Sequence, residues 1–229
     1  MSKSGSTHLP SERRPADLAT GIVGVLRQEL AAGVYEPEAV FTELALSERF
    51  GVSRTPVREA LLLLERDGLL VQRERSFALP RYSRQQMDNL FDVRRQLEPY
   101  ALRRIVELRP APEIDAYVAW AREALRNKAD TAAYIQAHQN VRAELLRLCH
   151  NAFIRNAIET FDHQTAFVRQ QTLRHSENLT LSVRLTNELL DALSKHDPDA
   201  VEAAAEASLQ AAHQAIIHLL ENGQASQPA

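Results

Sequence analysis

The chain has one cysteine, Cys149, so no internal disulfide can form and a reducing compartment is expected. Seven glycines in 229 residues are too few for a large sheet with many tight turns. No apolar run approaches the roughly 18 residues of a membrane span. The first residues carry no apolar core of the secretory type, so no export is expected and the cytoplasm is the expected location. Positive charge is missing too. The formal net charge is −3, and the first 80 residues hold ten Lys/Arg against eleven Asp/Glu. Any nucleic-acid binding must therefore rest on local charge.

What is present is helical periodicity. From Asp17 to Ala32 the apolar residues Leu18, Ile22, Val25, Leu26 and Leu30 follow helical spacing, and Gly33 stands where a C-cap glycine belongs. Residues 34–42 read as short and irregular. A second helix is predicted from Glu43 to Phe50, with a turn at Gly51. A third opens after Ser53, a good N-cap, and runs to Asp67; Pro56 is tolerated in its first turn because an N–H there has no partner to lose. Leu69–Val71 and Phe77–Leu79 flank the charged stretch Gln72–Ser76 and read as a β-hairpin. Three helices and a hairpin make a winged helix-turn-helix.

After Pro80 the period is helical throughout. Helices are expected near 84–108, 113–128, 130–150, 152–175, 180–195 and 197–221, with Ser83, Asp130 and Asp197 as N-caps. The expected fold is mainly α: a winged helix-turn-helix (three helices plus a β-hairpin wing) followed by an all-α six-helix bundle. The boundaries are a disordered arm 1–14, a DNA-binding domain 15–80, a linker 81–84, a helical effector-binding and dimerisation domain 85–222, and a disordered tail 223–229.

The third helix is built to enter a DNA groove end-first. Its N-terminus brings unpaired backbone N–H groups and the positive end of the dipole to a phosphate. Ser53 and Thr55 add hydroxyls, and Arg54 and Arg58, at i and i+4, share a face. An arginine can hold guanine bidentately, worth about 1–3 kcal/mol of discrimination. Arg49 is placed to serve a phosphate, Pro56 completes the helix tip, and Arg73 and Arg75 at the wing tip face backbone or minor groove. The alternative is a solvated face on which these arginines pair with Glu48, Glu59 and Glu65.

The run Leu46-Ser-Glu-Arg-Phe-Gly-Val-Ser-Arg-Thr-Pro-Val-Arg-Glu-Ala-Leu61, followed by Leu64-Glu-Arg-Asp-Gly-Leu-Leu70, resembles the GntR family of bacterial transcription regulators. Val93-Arg-Arg-Gln-Leu-Glu98 and the Leu190-Asp-Ala-Leu and Asp197-Pro-Asp-Ala stretches look like its branch with a helical FCD-type effector domain. The likeness spans residues 16–221. It implies a homodimer, a palindromic double-stranded operator and control, as a repressor, by a small ligand. One departure lies in the wing, where the family usually keeps a glycine at the tip and this chain has Arg75-Ser76-Phe77.

Many members of this branch hold a metal with one Asp and three His. The matching positions here are His138, Arg142, Thr186 and Ser208, with Asn151 fixing the register. None keeps the family's ligand type, so neither metal nor cofactor is expected. Periodicity also marks these positions. Ile135, His138, Arg142, Leu145 and Cys149 form one stripe, and Phe91, Arg94, Glu98 and Ile105 another, so polar groups interrupt core-facing rows. The expected reading is a metal-free pocket in which Arg94 and Arg142 hold an organic acid and His138, Asn151, Thr186 and Ser208 add hydrogen bonds. Three alternatives stand beside it: a structural cluster in which Arg94 or Arg142 pairs with Glu98, a rebuilt metal site using His138 with His150, His163, His175 or His213, and a DNA-binding protein without a ligand. No nucleophile–base pair, phosphate loop or paired acid/base carboxylates mark an enzyme.

Overall fold

The computed structural model describes residues 15–31, 33–36, 38–126 and 131–225. They divide into two compact units, and the division, between Arg81 and Tyr82, falls within the stretch read as a linker. The predicted arm 1–14, the Asp130 cap and residues 226–229 lie outside the described residues.

The first unit holds α1 (Pro15–Ala31), β1 (Val40–Phe41), α2 (Glu43–Phe50), α3 (Arg54–Arg66), β2 (Val71–Arg73) and β3 (Ser76–Ala78). Its core joins Ile22 and Leu26 of α1 to Phe50 of α2 and to Val57, Ala60, Leu61 and Leu64 of α3, all fully buried. Thr42 caps α2 by accepting from the Ala45 N–H at 3.2 Å. Gly51 ends it at φ 67, a left-handed conformation that glycine adopts without strain. The irregular reading of residues 34–42 needs correction. Val40 and Phe41 form a short strand that pairs antiparallel with β3, opposite Ala78 and Phe77, so the wing is a three-stranded sheet of order β1-β3-β2. Two residues are too short to show alternation; the strand exists because β3 offers backbone groups that need partners.

The second unit contains α4 (Arg84–Leu108), α5 (Ala111–Ala124), α6 (Thr131–Arg147), α7 (Ala152–Leu173), α8 (Ser176–Ser194) and α9 (Pro198–Ala225). A capping box starts α4: the Ser83 hydroxyl accepts from the Gln86 N–H, and the Gln86 side chain accepts from the Ser83 N–H. The main core gathers Ile105, Ile114, Ala121, Ile158, Leu193 and Val201; a smaller one joins Met87 and Phe91 to Val168, Leu209 and Ile216. Several predicted boundaries move: α5 ends at Ala124, not 128, and α6 at Arg147, not 150. α8 starts at Ser176, not near 180, because the polar residues read as a break occupy a helical first turn, where Asn178 donates back to the Thr172 carbonyl at 3.1 Å. α9 runs on through residues 223–225, which had been assigned to the tail. No described helix is long and apolar enough to cross a membrane.

Candidate functional site

The tip of α3 is presented outward. Ser53, Arg54, Thr55 and Arg58 are exposed, while Val57, Ala60, Leu61 and Leu64 hold the opposite face in the core. Ser53 has the extended backbone of an N-cap, but its side chain makes no capping bond, so its hydroxyl stays available. Arg58 lies 3.7 Å from Glu43 with its side chain 69% exposed, an exchangeable surface pair. Among the described residues Arg54, Arg73 and Arg75 enter no ion pair.

Two predicted contact residues are engaged elsewhere. Arg49 donates to both carboxylate oxygens of Glu29 and to the Tyr35 hydroxyl, and its guanidinium covers the Phe50 ring. It ties α1, the following loop and α2 together, so a phosphate would have to compete with a charge already in place. Burial and Glu29 push the Tyr35 hydroxyl up to about 12, which keeps this strut neutral at that end. Pro56 is buried and shapes the helix start without offering a contact surface. At the wing tip Glu74 has φ 41, the left-handed region in which a side chain is strained. The turn therefore keeps the backbone that glycine usually supplies while carrying an acidic side chain between Arg73 and Arg75.

Inside the second unit lies a cavity of about 140 Å³ to which all six of its helices contribute. Arg94 and Glu98 of α4, His138 and Arg142 of α6, and Arg169 of α7 form its charged end. Arg94 donates to Glu98 at 2.5 Å and covers the Phe91 ring. Arg142 donates to Glu98 and, at 2.6 Å, to Asp162. Arg169 reaches the other Asp162 oxygen at 3.0 Å and the Thr165 hydroxyl at 3.2 Å. Three guanidiniums thus surround two carboxylates. Burial alone would raise the Asp162 carboxyl; Arg142, Arg169 and Arg94 outweigh it and hold that group far below the usual carboxylate range. Glu98 follows the same balance, with Arg142 and Arg94 prevailing over its burial. Burial, reinforced by Arg169 and Arg142, lowers His138 to about 3, so its imidazole is neutral. Its Nδ1 is sealed from solvent with no hydrogen-bond partner among the described residues.

Arg94, His138, Arg142, Thr186 and Ser208 all line this cavity, as their positions led us to expect. Asn151 does not. It is the exposed N-cap of α7, accepting from the Phe153 and Ile154 N–H groups at 3.0 and 3.2 Å. Arg94 and Arg142 do pair with Glu98, as the structural alternative held, but the pairing leaves one positive charge over. Sequence reasoning overlooked Asp162 and Arg169. The signal was there, because Ile158, Asp162, Thr165, Arg169 and Thr172 fall on one face of α7 and interrupt a core-facing row as His138 and Arg142 do in α6.

The residues present do not fit a metal. A divalent ion at the family's position would meet the Arg142 guanidinium, with Arg94 and Arg169 beside it. Among the described residues no three His, Cys, Asp or Glu side chains gather into a ligand set.

Comparison with known proteins identifies the family of both units. The profile described as "Bacterial regulatory proteins, gntR family" matches residues 18–77, and the FCD domain profile matches residues 89–211. The HTH-type transcriptional regulator YdhC of Bacillus subtilis is 24% identical over 202 residues, which is 86% of this chain and 90% of YdhC. The HTH-type transcriptional repressor RspR of Escherichia coli is 25% identical over 193 residues, 82% of this chain and 84% of RspR. Among solved structures, Escherichia coli McbR/YncC shares the fold with a TM-score of 0.71 at 24% identity, over 90% of this chain and 98% of McbR/YncC.

Proposed function

The chain belongs to the GntR family of bacterial transcription regulators, with an FCD domain as its second half, and from that premise we propose that it is a cytoplasmic repressor released or engaged by an anionic metabolite. DNA binding falls to the first unit. The observation that carries this assignment is the division of labour among its arginines: Arg49 is tied internally, while Arg54 and Arg58 stand exposed at the N-terminal end of α3 beside two hydroxyls. A helix so tipped reads base edges with its arginines and phosphates with its hydroxyls and backbone N–H groups. A homodimer would set two such helices in successive major grooves of a palindromic operator, about 34 Å apart.

The second unit supplies the control. A cavity with surplus positive charge attracts an anion, and an organic acid matches the planar donor forks of its arginines. Regulation requires that the acid favour one arrangement of the dimer over another. The family is one of regulators, and the reading assigns no catalytic step.

Selection of duplexes from a randomised pool, followed by mobility-shift titration, tests the assignment. An enriched palindrome bound by the wild-type chain and bound at least several-fold more weakly by Arg54→Ala supports it. Absence of any enriched sequence, or an Arg54→Ala variant that selects and shifts the same duplex equally, rules it out.

A further inference from the structure

The two carboxylates at the charged end are largely consumed by two of the three arginines. Arg94 and Arg142 share Glu98, and Arg142 takes one oxygen of Asp162 at 2.6 Å. Arg169 is left with the other Asp162 oxygen at 3.0 Å, which also lies 3.6 Å from Arg94, and with a neutral hydroxyl. A guanidinium has five donors, and these contacts occupy few of them. Burial depresses the charged form of Arg169, and Arg142 and Arg94 add to the effect while Asp162 opposes it. Arg169 is thus the least compensated cation in the site.

The opposite wall has a different character. Leu102, Leu181, Leu185, Leu189 and Leu209, with a row of α9 alanines and the hydroxyls of Ser182, Thr186 and Ser208, surround the remaining space and offer no cation. At about 140 Å³ the space is close to that of a buried cavity known to hold benzene. We propose, resting on the reading above, that the cavity takes one monoanionic acid with an apolar body of about that bulk, and that Arg169 is its carboxylate receptor. One bound carboxylate neutralises the surplus charge. A second carboxylate on the same molecule would be driven away from the arginines, among leucines and a few hydroxyls with no cation to answer it, and should weaken binding about a hundredfold or more. A neutral molecule of the same shape would fill the apolar space and leave the charge unanswered.

The test is calorimetric titration of the full chain with hexanoate, adipate and 1-hexanol, which share a six-carbon chain and differ in carboxylate number. Hexanoate should bind at least about a hundredfold more tightly than adipate and at least about tenfold more tightly than 1-hexanol. Arg169→Met should abolish hexanoate binding, and Arg169→Lys should retain part of it. Arg169→Met also takes one partner from Asp162, so a second variant accompanies it: Ala212→Leu, on the apolar lining, should exclude hexanoate while leaving every charged residue in place. Adipate binding as tightly as hexanoate overturns the single-charge claim. Equal binding of 1-hexanol overturns the anion claim, and hexanoate binding retained by a folded Arg169→Met overturns the receptor assignment. Binding of the selected duplex is measured on the same preparation. Protein that binds duplex and none of the three compounds refutes this inference and leaves the regulator reading standing, whereas protein that binds no duplex refutes the regulator reading itself.

Discussion

Replacing His138 with glutamine should remove about 2 kcal/mol of acid sensitivity from the second unit. The imidazole belongs to a base whose proton affinity falls on folding, from an ordinary value of 6.5 to about 3. The sign follows from proton counting. As pH falls through 6.5 the unfolded chain takes up a proton at this position and the folded chain does not, so stability is full above 6.5 and declines toward 3. Integrated from pH 7 to pH 5, the loss is about 2 kcal/mol, and it stays near that value for any folded pKa below about 4. The assay is urea unfolding followed by tryptophan fluorescence at the two pH values. Trp120 is the sole tryptophan and lies on α5, so the signal reports the second unit alone. Wild type should lose about 2 kcal/mol more than His138→Gln between pH 7 and pH 5, with the m-value unchanged. Equal losses in the two proteins would mean that the folded His138 takes up its proton normally. The site would then be wet, and the account of a sealed charge cluster would fail.

Other consequences are as direct. Arg54→Ala and Arg58→Ala should each weaken binding of the selected duplex by about 1–3 kcal/mol in mobility-shift titration, and unchanged affinity in both would misassign the recognition helix. Arg142→Ala should cost the second unit about 3–5 kcal/mol in the same tryptophan assay, since it strips Glu98 and Asp162 of their shared partner; a loss under 1 kcal/mol would show the cluster to be hydrated. Glu74→Gly should stabilise the wing by about 1 kcal/mol, strain relief less glycine's entropy, read as slower amide exchange in β2 and β3. Exhaustive dialysis against a chelator should leave the Trp120-monitored unfolding unchanged, and stoichiometric zinc, nickel or manganese in the purified chain would restore the rebuilt metal site as the better reading.

The elements that sequence revealed are those whose ends carry chemistry. Gly51 turns the chain before α3, and Ser83 caps α4; each is a residue type chosen by backbone requirements that hold in any fold. β1 escaped because a two-residue strand has no period, and its cause lies in β3, across the sheet. The cavity was half visible. His138 and Arg142 broke an apolar row within one helix, which a single stretch of sequence can show. Their pairing with Asp162, and the surplus charge left on Arg169, depend on how α4, α6 and α7 pack, and spacing along one helix holds no trace of that. Asn151 misled for a related reason: a polar residue at a helix start serves its own backbone first.

The five-member charge cluster also constrains how a lineage carrying this fold can change its ligand. Arg94, Glu98, Arg142, Asp162 and Arg169 lie on three helices and share partners, so losing Glu98, Arg142 or Asp162 strips a contact from two or more buried partners at once. Substitutions at those three positions should be costly singly and tolerated best in pairs. Exchanges among the leucines and alanines of the other wall cost far less and reshape the space one methylene at a time. Divergence should therefore preserve the anionic head that the site receives and diversify the body attached to it, leaving a conserved charged end and a variable apolar one as the record of that history.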